Sequence, residues 1–406
     1  MQYLRENSAM LGQSIEREPI KNIDRFLNST VLTPSLLKNA QDKALAQVKE
    51  NISYFKDQYP QPSSEGQQYH SIENVEWTSG FWSGQLWLSY QLSGEQAFAD
   101  AGLAQIRSYR DRIENRIVVD HHDLGFLYSL SCIAAFKTTS DSSAKLTALK
   151  AADCLMERFL PVAGIIQAWG NLNDPSEAGR MIMDCNLNLP LLYWASEESG
   201  DPKYRDAANQ HIRQAVRYLI RDDASSFHTY FMDVKTGNPL KGATHQGYSD
   251  SSCWARGQAW GITGFPLVYR YYPAPALLEQ SARLANYFLN RLPRDHICYW
   301  DLIFTQGEEP RDSSSAAIAV CGLLDLVRYL PLTDPDRAVY EGAAKAILSA
   351  LIKFYTPEEI KPGQGLLLHG VYHMPNKVGV DEACAWGDYF YLEALTRFAK
   401  IWEPYW

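Results

Sequence analysis

The 406-residue sequence predicts an all-α fold, an (α/α)6 barrel of six outer–inner helix hairpins. Two observations carry that prediction. Apolar residues recur at three- and four-residue spacing along most of the chain, the period of a helix with one buried face. Two kinds of segment also alternate, amphipathic ones and ones apolar nearly all round, six of each. A helix that is apolar all round must be enclosed, and an amphipathic one can cover it from outside. Such pairs either close into a ring or stack as an open solenoid. Six pairs that use almost the whole chain, without atypical capping repeats, favour the ring.

The amphipathic segments are 35–55, 95–114, 143–159, 203–220, 277–292 and 338–355, each with Ala near its middle and a charged face. The fourth opens after Gly200, Asp201 and Pro202, a good helix-start sequence. The enclosed segments are 79–93, 122–137, 184–198, 253–272, 312–329 and 382–402. Their starts read WTSGFWSGQ, HHDLGF, DCNLNLP, SSCWARGQAW, RDSSSA and DEACAWGDYF. In a closed ring these starts share one end of the barrel, so residues remote in sequence converge on one cavity. Helix N-termini there direct partial positive charge into it, which suits an anionic ligand. One domain over 1–406 follows, with 1–32 as a peripheral N-terminal segment.

Composition narrows the function. A net charge of −9 without a long basic run argues against a nucleic-acid surface. An acidic ligand would need a local positive site. No stretch has the length and purity of a membrane-spanning helix. The segment MQYLRENSAMLGQSIEREPIKN lacks the apolar core of a signal peptide. A cytoplasmic location is therefore expected, or a periplasmic one if a leader has been removed. Seven cysteines, scattered and without a CxxC pair, read as buried free thiols. The 11 Trp and 24 Tyr fill cores, and at a site their flat faces stack on sugar rings. Nothing in the sequence signals an oligomeric state.

Asp123 and Asp184 each sit at the start of an enclosed helix, where an aspartate commonly serves as an N-cap. The alternative is chemical. Both lie amid apolar sequence, where desolvation raises a carboxyl pKa, and two carboxylates facing one cavity push each other's values apart. One then serves as acid while the other stays charged. Arg256 lies in an otherwise apolar helix, where it needs either an acidic neighbour or a ligand carboxylate for its guanidinium fork. Trp260 follows one turn later on the same face. The loop KGATHQGYSDSSCW (241–254) holds Gly242, Thr244, His245 and Gln246, small residues and mixed donors that suit a hydroxyl-rich ligand. Surface loops often look the same. His228, read alone, is structural. His121 and His122 have no spaced partner ligands, so no metal is expected. With no GxSxG elbow, Walker loop or GxGxxG, no cofactor is expected either.

The motifs WTSGFWSGQLWLSY, HHDLGFLYSLS, MDCNLNLPLLYWAS, HQGYSDSSCWARGQAWGI and DEACAWGDYFYLEAL resemble, in order, those of unsaturated glucuronyl hydrolases, glycoside hydrolase family 88. The resemblance covers roughly residues 35 to 402 and implies the same (α/α)6 barrel. It implies a substrate left by polysaccharide lyases, an oligosaccharide whose non-reducing end carries a C4=C5 double bond beside a carboxylate. It also implies hydration of that bond, after which the hemiketal opens and the remaining glycan leaves. By motif position Asp184 matches the general acid/base and Asp123 its partner carboxylate. Gly242, Thr244, His245, Gln246, Arg256 and Trp260 match substrate-contacting positions. Trp77, Trp169 and His228 correspond through shorter motifs. Competing readings are unsaturated rhamnogalacturonyl hydrolase, a sugar 2-epimerase on a similar barrel, and a non-catalytic glycan-binding scaffold. In the late loop LLLHGVYHMPNKVGVDE (366–382), Lys377 either meets an anionic substituent such as sulfate or is simply solvated.

Overall fold

A computed structural model describes residues 16–27 and 32–406. The leader expectation, and part of the expected peripheral segment, fall on residues 1–15 and 28–31, outside the described residues.

After a one-turn helix at Asp24–Leu27, the barrel helices run in chain order as α1 (Pro34–Phe55), α2 (Ser79–Ser93), α3 (Gln96–Glu114), α4 (124–139), α5 (Ser142–Met156) and α6 (Cys185–Ser199). They continue as α7 (Pro202–Tyr218), α8 (Ala255–Tyr269), α9 (Pro275–Asn290), α10 (Ser313–Tyr329), α11 (Arg337–Phe354) and α12 (Ala385–Ala399). Helix α4 contains one turn of π-helix, Ser129–Ile133. Each even-numbered helix packs on the next, and α12 packs back on α2, so the ring is closed rather than open. Odd-numbered helices pack outside this ring; α1, α3, α5 and α7 bury mainly their inward faces, whereas α9 and α11 are buried more widely. Local sequence explains the starts. Thr33 Oγ1 accepts from Leu36 N at 3.1 Å ahead of α1, and Asp201 Oδ1 accepts from Lys203 N at 2.9 Å ahead of α7. Pro34 and Pro202 occupy the first turn, where no backbone donor is lost.

Glycine sets how closely the inner helices approach. At each of the six inner contacts one glycine faces the neighbour so tightly that a Cβ would collide. Gly80 of α2 would meet Phe126 O of α4 at 2.0 Å, and Gly125 of α4 would meet Asn188 Cα of α6 at 2.3 Å. Gly264 faces Asn186 at 2.6 Å, Gly322 faces Ile262 at 2.7 Å, and Gly387 faces Ser314 at 2.9 Å. Gly84 faces the Tyr389 ring at 2.5 Å, which closes the circle.

Short antiparallel strands decorate the connections: β1 (Tyr59–Pro60) with β2 (Ser71–Ile72), and β3 (Phe159–Leu160) with β4 (Ile165–Ile166). A three-stranded sheet joins β5 (Arg180–Ile182), β6 (Thr229–Met232) and β7 (Pro239–Ala243). A hairpin joins β8 (Gly370–His373) to β9 (Val378–Glu382). A reading of helix almost everywhere misses them, because two to five residues are too few to display a strand's alternation.

Aromatic side chains fill the lumen. Phe126 packs on Trp260 at 5.4 Å and on Trp406 at 5.9 Å, and Trp406 stacks on Phe390 at 5.9 Å. All seven cysteines are buried and unpaired. Residues 16–27 lie against the outside of α9 and α11, where Arg17 pairs with Glu279 and Asp334.

Candidate active site

At the end where the inner helices begin lies a cavity of about 440 Å³. Asp123 and Asp184 both line it, immediately before α4 and α6. Each occupies an N-cap position, yet neither side chain makes a capping bond. Asp312, ahead of α10, shows the ordinary alternative: its carboxylate accepts from Ser314 N at 3.1 Å. The two site aspartates are therefore not spent on capping their own helices.

Neighbouring structure fixes their separation. Phe126 N donates to Asn188 Oδ1 at 2.8 Å, tying the start of α4 to α6 at the Gly125 contact. Pairing of β5 with β6 holds Ile182 opposite Thr229, two residues before Asp184. One donor atom each from His122, Asp123 and Asp184 lies within 4.8 Å of the others. Among the described residues this is the grouping that offers three metal-type donors. His122 Nε2 already lies 3.2 Å from Asp123 Oδ1, so these donors are turned on one another as an ion pair.

The two carboxyls diverge electrostatically. Burial pushes Asp184 up to about 6; the His122 charge opposes the rise and the Asp123 charge adds to it. Its Oδ1 is buried without a hydrogen-bond partner. Burial would raise Asp123 too, but His122 and His121 outweigh it and hold that carboxyl well below the usual range. His121 Nδ1 lies 3.2 Å from Asp123 Oδ2. Desolvation alone would have moved both upward; the adjacent histidines split them.

Arg256 is only 1% exposed, and its guanidinium lies between the rings of Trp254 and Trp386 at 4.4 and 4.6 Å. Its Nη2 donates to Gln246 Oε1 and to Tyr372 O, each at 2.7 Å, and Nη1 donates to Val371 O. Asp312 completes the set at 3.7 Å. The fork is thus occupied by protein acceptors while the residue still lines the cavity. It ties α8 to the β8–β9 hairpin.

His228 is neutral: burial and the nearby His245 and Arg256 hold its pKa well below the ordinary value. Its Nδ1 accepts from His245 N at 2.9 Å and Gln246 N at 3.0 Å, which places the ring proton on Nε2 and shapes the loop. His245 packs near Trp169 at 5.4 Å, and Trp77 Nε1 donates to the Tyr372 hydroxyl at 3.2 Å. Trp260 adds a wall above the aromatic core.

Nine of the eleven residues singled out from sequence line this cavity: Asp123, Asp184, Trp77, Trp169, His228, His245, Gln246, Arg256 and Trp260. Gly242 and Thr244 are not among its lining residues. Gly242 lies on β7, where a Cβ would strike the Phe227 ring at 2.3 Å. Thr244 folds the loop, its Oγ1 accepting from Gly247 N at 2.8 Å. Sequence reasoning missed Glu76, Val118, Trp254 and Tyr372, which also line the cavity. Trp254 stood in the SSCWARG motif two residues before Arg256. Val118, 56% exposed and at φ 46°, is β-branched in a left-handed conformation, for which the sequence holds no signal.

A closed helical barrel with split carboxyls in a Trp-lined cavity has the parts that acid/base chemistry on a carbohydrate requires. Residues 49–328 match the sequence pattern of Glycosyl Hydrolase Family 88. The unsaturated chondroitin disaccharide hydrolase of Streptococcus pyogenes serotype M1 is 49% identical over 395 residues, 97% of this chain and 99% of the relative. The crystal structure of unsaturated glucuronyl hydrolase from Streptococcus agalactiae superposes with TM-score 0.95 at 48% identity, covering 97% of this chain and 99% of that one. A mutant of that Streptococcus agalactiae enzyme, complexed with dGlcA-GalNAc6S, matches with TM-score 0.88 at 46% identity over the same shares. The chain belongs to glycosyl hydrolase family 88, and it is a glycoside hydrolase.

Proposed function

We propose that Asp184 and Asp123 remove the Δ4,5-unsaturated uronic acid from the non-reducing end of lyase-generated oligosaccharides. Asp184, protonated at the start, gives its proton to C4 of the C4=C5 bond. Positive charge then develops at C5 and the ring oxygen, where the charged Asp123 stabilises it. Ionised Asp184 next takes a proton from the water that adds at C5. The hemiketal opens and releases the remaining glycan, so neither carboxylate attacks the anomeric carbon. The observation that carries this reading is the pair of N-cap aspartates left uncapped, one raised and one lowered in pKa, within 4.8 Å.

The substrate class we favour is an unsaturated glycosaminoglycan disaccharide, because the relatives named above act on or hold such sugars. Lys377, exposed at the β8–β9 turn, supports tolerance of a sulfate there. Seven buried free thiols support a cytoplasmic location. The test is a panel of unsaturated disaccharides from chondroitin, hyaluronan, heparin, ulvan and pectin, followed by loss of the enoate ultraviolet absorbance. Decay with the glucuronyl substrates is expected. Decay with the pectin-derived rhamnogalacturonan product alone would move the chain to rhamnogalacturonyl chemistry, and binding without decay would leave a scaffold.

A further inference from the structure

Neither hydration by two aspartates nor a metal pattern gives His122 a task. It is nevertheless among the most enclosed groups at the site, 1% exposed, with its backbone N donating to Ala168 O at 2.8 Å. Its Nε2 sits 3.2 Å from Asp123 Oδ1, and one Asp184 oxygen shares the same 4.8 Å neighbourhood. Nδ1 makes no regular hydrogen bond, and the Cys185 thiol also acts on the ring.

We propose that His122 is a positioning residue: a buried imidazolium whose contact with Asp123 keeps that carboxylate charged and aimed, leaving the proton of the pair on Asp184. This rests on the acid/base roles proposed above. The reasoning is charge balance. Two carboxylates this close, in a wall largely closed to water, cannot both ionise without a counter-ion. His122 supplies it, and the trio of imidazolium, charged Asp123 and neutral Asp184 has no net charge. When Asp184 ionises during turnover, the same cation faces the second negative charge. The groups facing His122 are His121 and Asp123 from its own segment, Asp184 and Cys185 from the start of α6, and His211 from α7. Burial pushes His211 down to about 3, so it does not compete as a cation. Arg256, on α8, acts on Asp184 but has its own acceptors. The opposing state is a neutral His122 that donates through Nε2 to Asp123 and accepts the Cys185 S–H at Nδ1. It would leave Asp123 without a countercharge from His122.

Side-chain 15N NMR of the full-length protein distinguishes the two states. In the unsubstituted protein His122 should show two protonated nitrogens through pH 8, and in Asp123→Asn it should titrate at least one pH unit lower. A neutral tautomer at pH 7 overturns the proposal, whatever the fate of any variant. His122→Gln keeps a donor but loses the charge. Its kcat should fall about 100-fold with KM changed less than about threefold, and the alkaline limb of kcat/KM should move upward by about one pH unit. A fall in kcat with the limb unmoved would mark a merely structural role and overturn the proposal. Asp184→Asn separates the levels. If that variant turns over, the acid/base reading fails; if it is inactive while His122 proves neutral, only the present inference fails.

Discussion

A carboxyl held at about 6 inside a protein is unfavourable for stability at neutral pH, and the sign of that effect is testable at Asp184. Its ordinary value is 3.8, so between roughly pH 4 and pH 6 the native state holds a proton that the unfolded chain has lost. Stability from this group is fully present below pH 4, falls as pH rises through that window, and stays low above it. Asp184→Asn carries no such penalty. It should raise stability by about 3 kcal/mol at pH 8 and by nearly nothing at pH 3.5, read from urea midpoints. The same substitution should lower kcat about 1000-fold, with KM little changed, because it removes the proposed acid and leaves the binding surface. Arg256 makes the opposite case. Its fork serves two backbone carbonyls of β8 and one Gln246 oxygen, and its plane lies between two indoles. Lysine cannot reproduce that geometry. Arg256→Lys should cost about 2 kcal/mol and raise KM several-fold, through a loosened Gln246 and Tyr372, while kcat holds better than in Asp184→Asn. The sequence marked Arg256 as needing a partner; it could not show that the acceptors lie 115 and 116 residues further on.

At the scale of elements, the helices were legible because each buries a face for fifteen or more residues in most cases, long enough for periodicity to register. The assignment of inner and outer places was legible for the same reason. The β-hairpins were not, and with them went Tyr372 of the cavity wall, because a short strand follows its partner across space and not its own pattern. Four of the six ring glycines lay in plain view in WTSGFWSGQ, HHDLGF and DEACAWGDYF, but the meaning of the ring depends on which helix is next door. That meaning is close packing. At Gly322 a methyl group would meet Ile262 backbone atoms at 2.7 Å, with no flexible side chain to yield. Gly322→Ala should therefore destabilise by about 1–3 kcal/mol, although alanine is the better helix former by about 1 kcal/mol. A rise in the urea midpoint would show that inner-helix spacing is not set by contact at glycine.

For the whole molecule, the question is what gives the cavity a floor. Twelve helices in two rings enclose a lumen, and an empty lumen would let the inner helices collapse or admit water. Here it is filled from one end by Phe126, Phe390 and Trp406, on which Trp260 rests as part of the cavity wall. Trp406 lies outside every helix, yet it is 1% exposed, stacks on Phe390 at 9° and donates from Nε1 to Glu393 Oε2 at 3.0 Å. The Arg397–Asp325 ion pair lies beside that glutamate, so the tail residue is joined to α10 and α12 by both packing and charge. Trp406→Ala should cost about 3–5 kcal/mol, since a large buried ring is removed from walls that cannot close over the gap. The plug touches Phe126, and Phe126 touches Trp260, so the cavity feels the change only through two layers of rings. KM and kcat, measured well below the unfolding transition, should therefore stay within about threefold of the unsubstituted protein. A variant that kept its stability would show the plug to be dispensable. One that kept its fold but lost kcat would show that the aromatic column positions the catalytic end of the barrel as well as filling it.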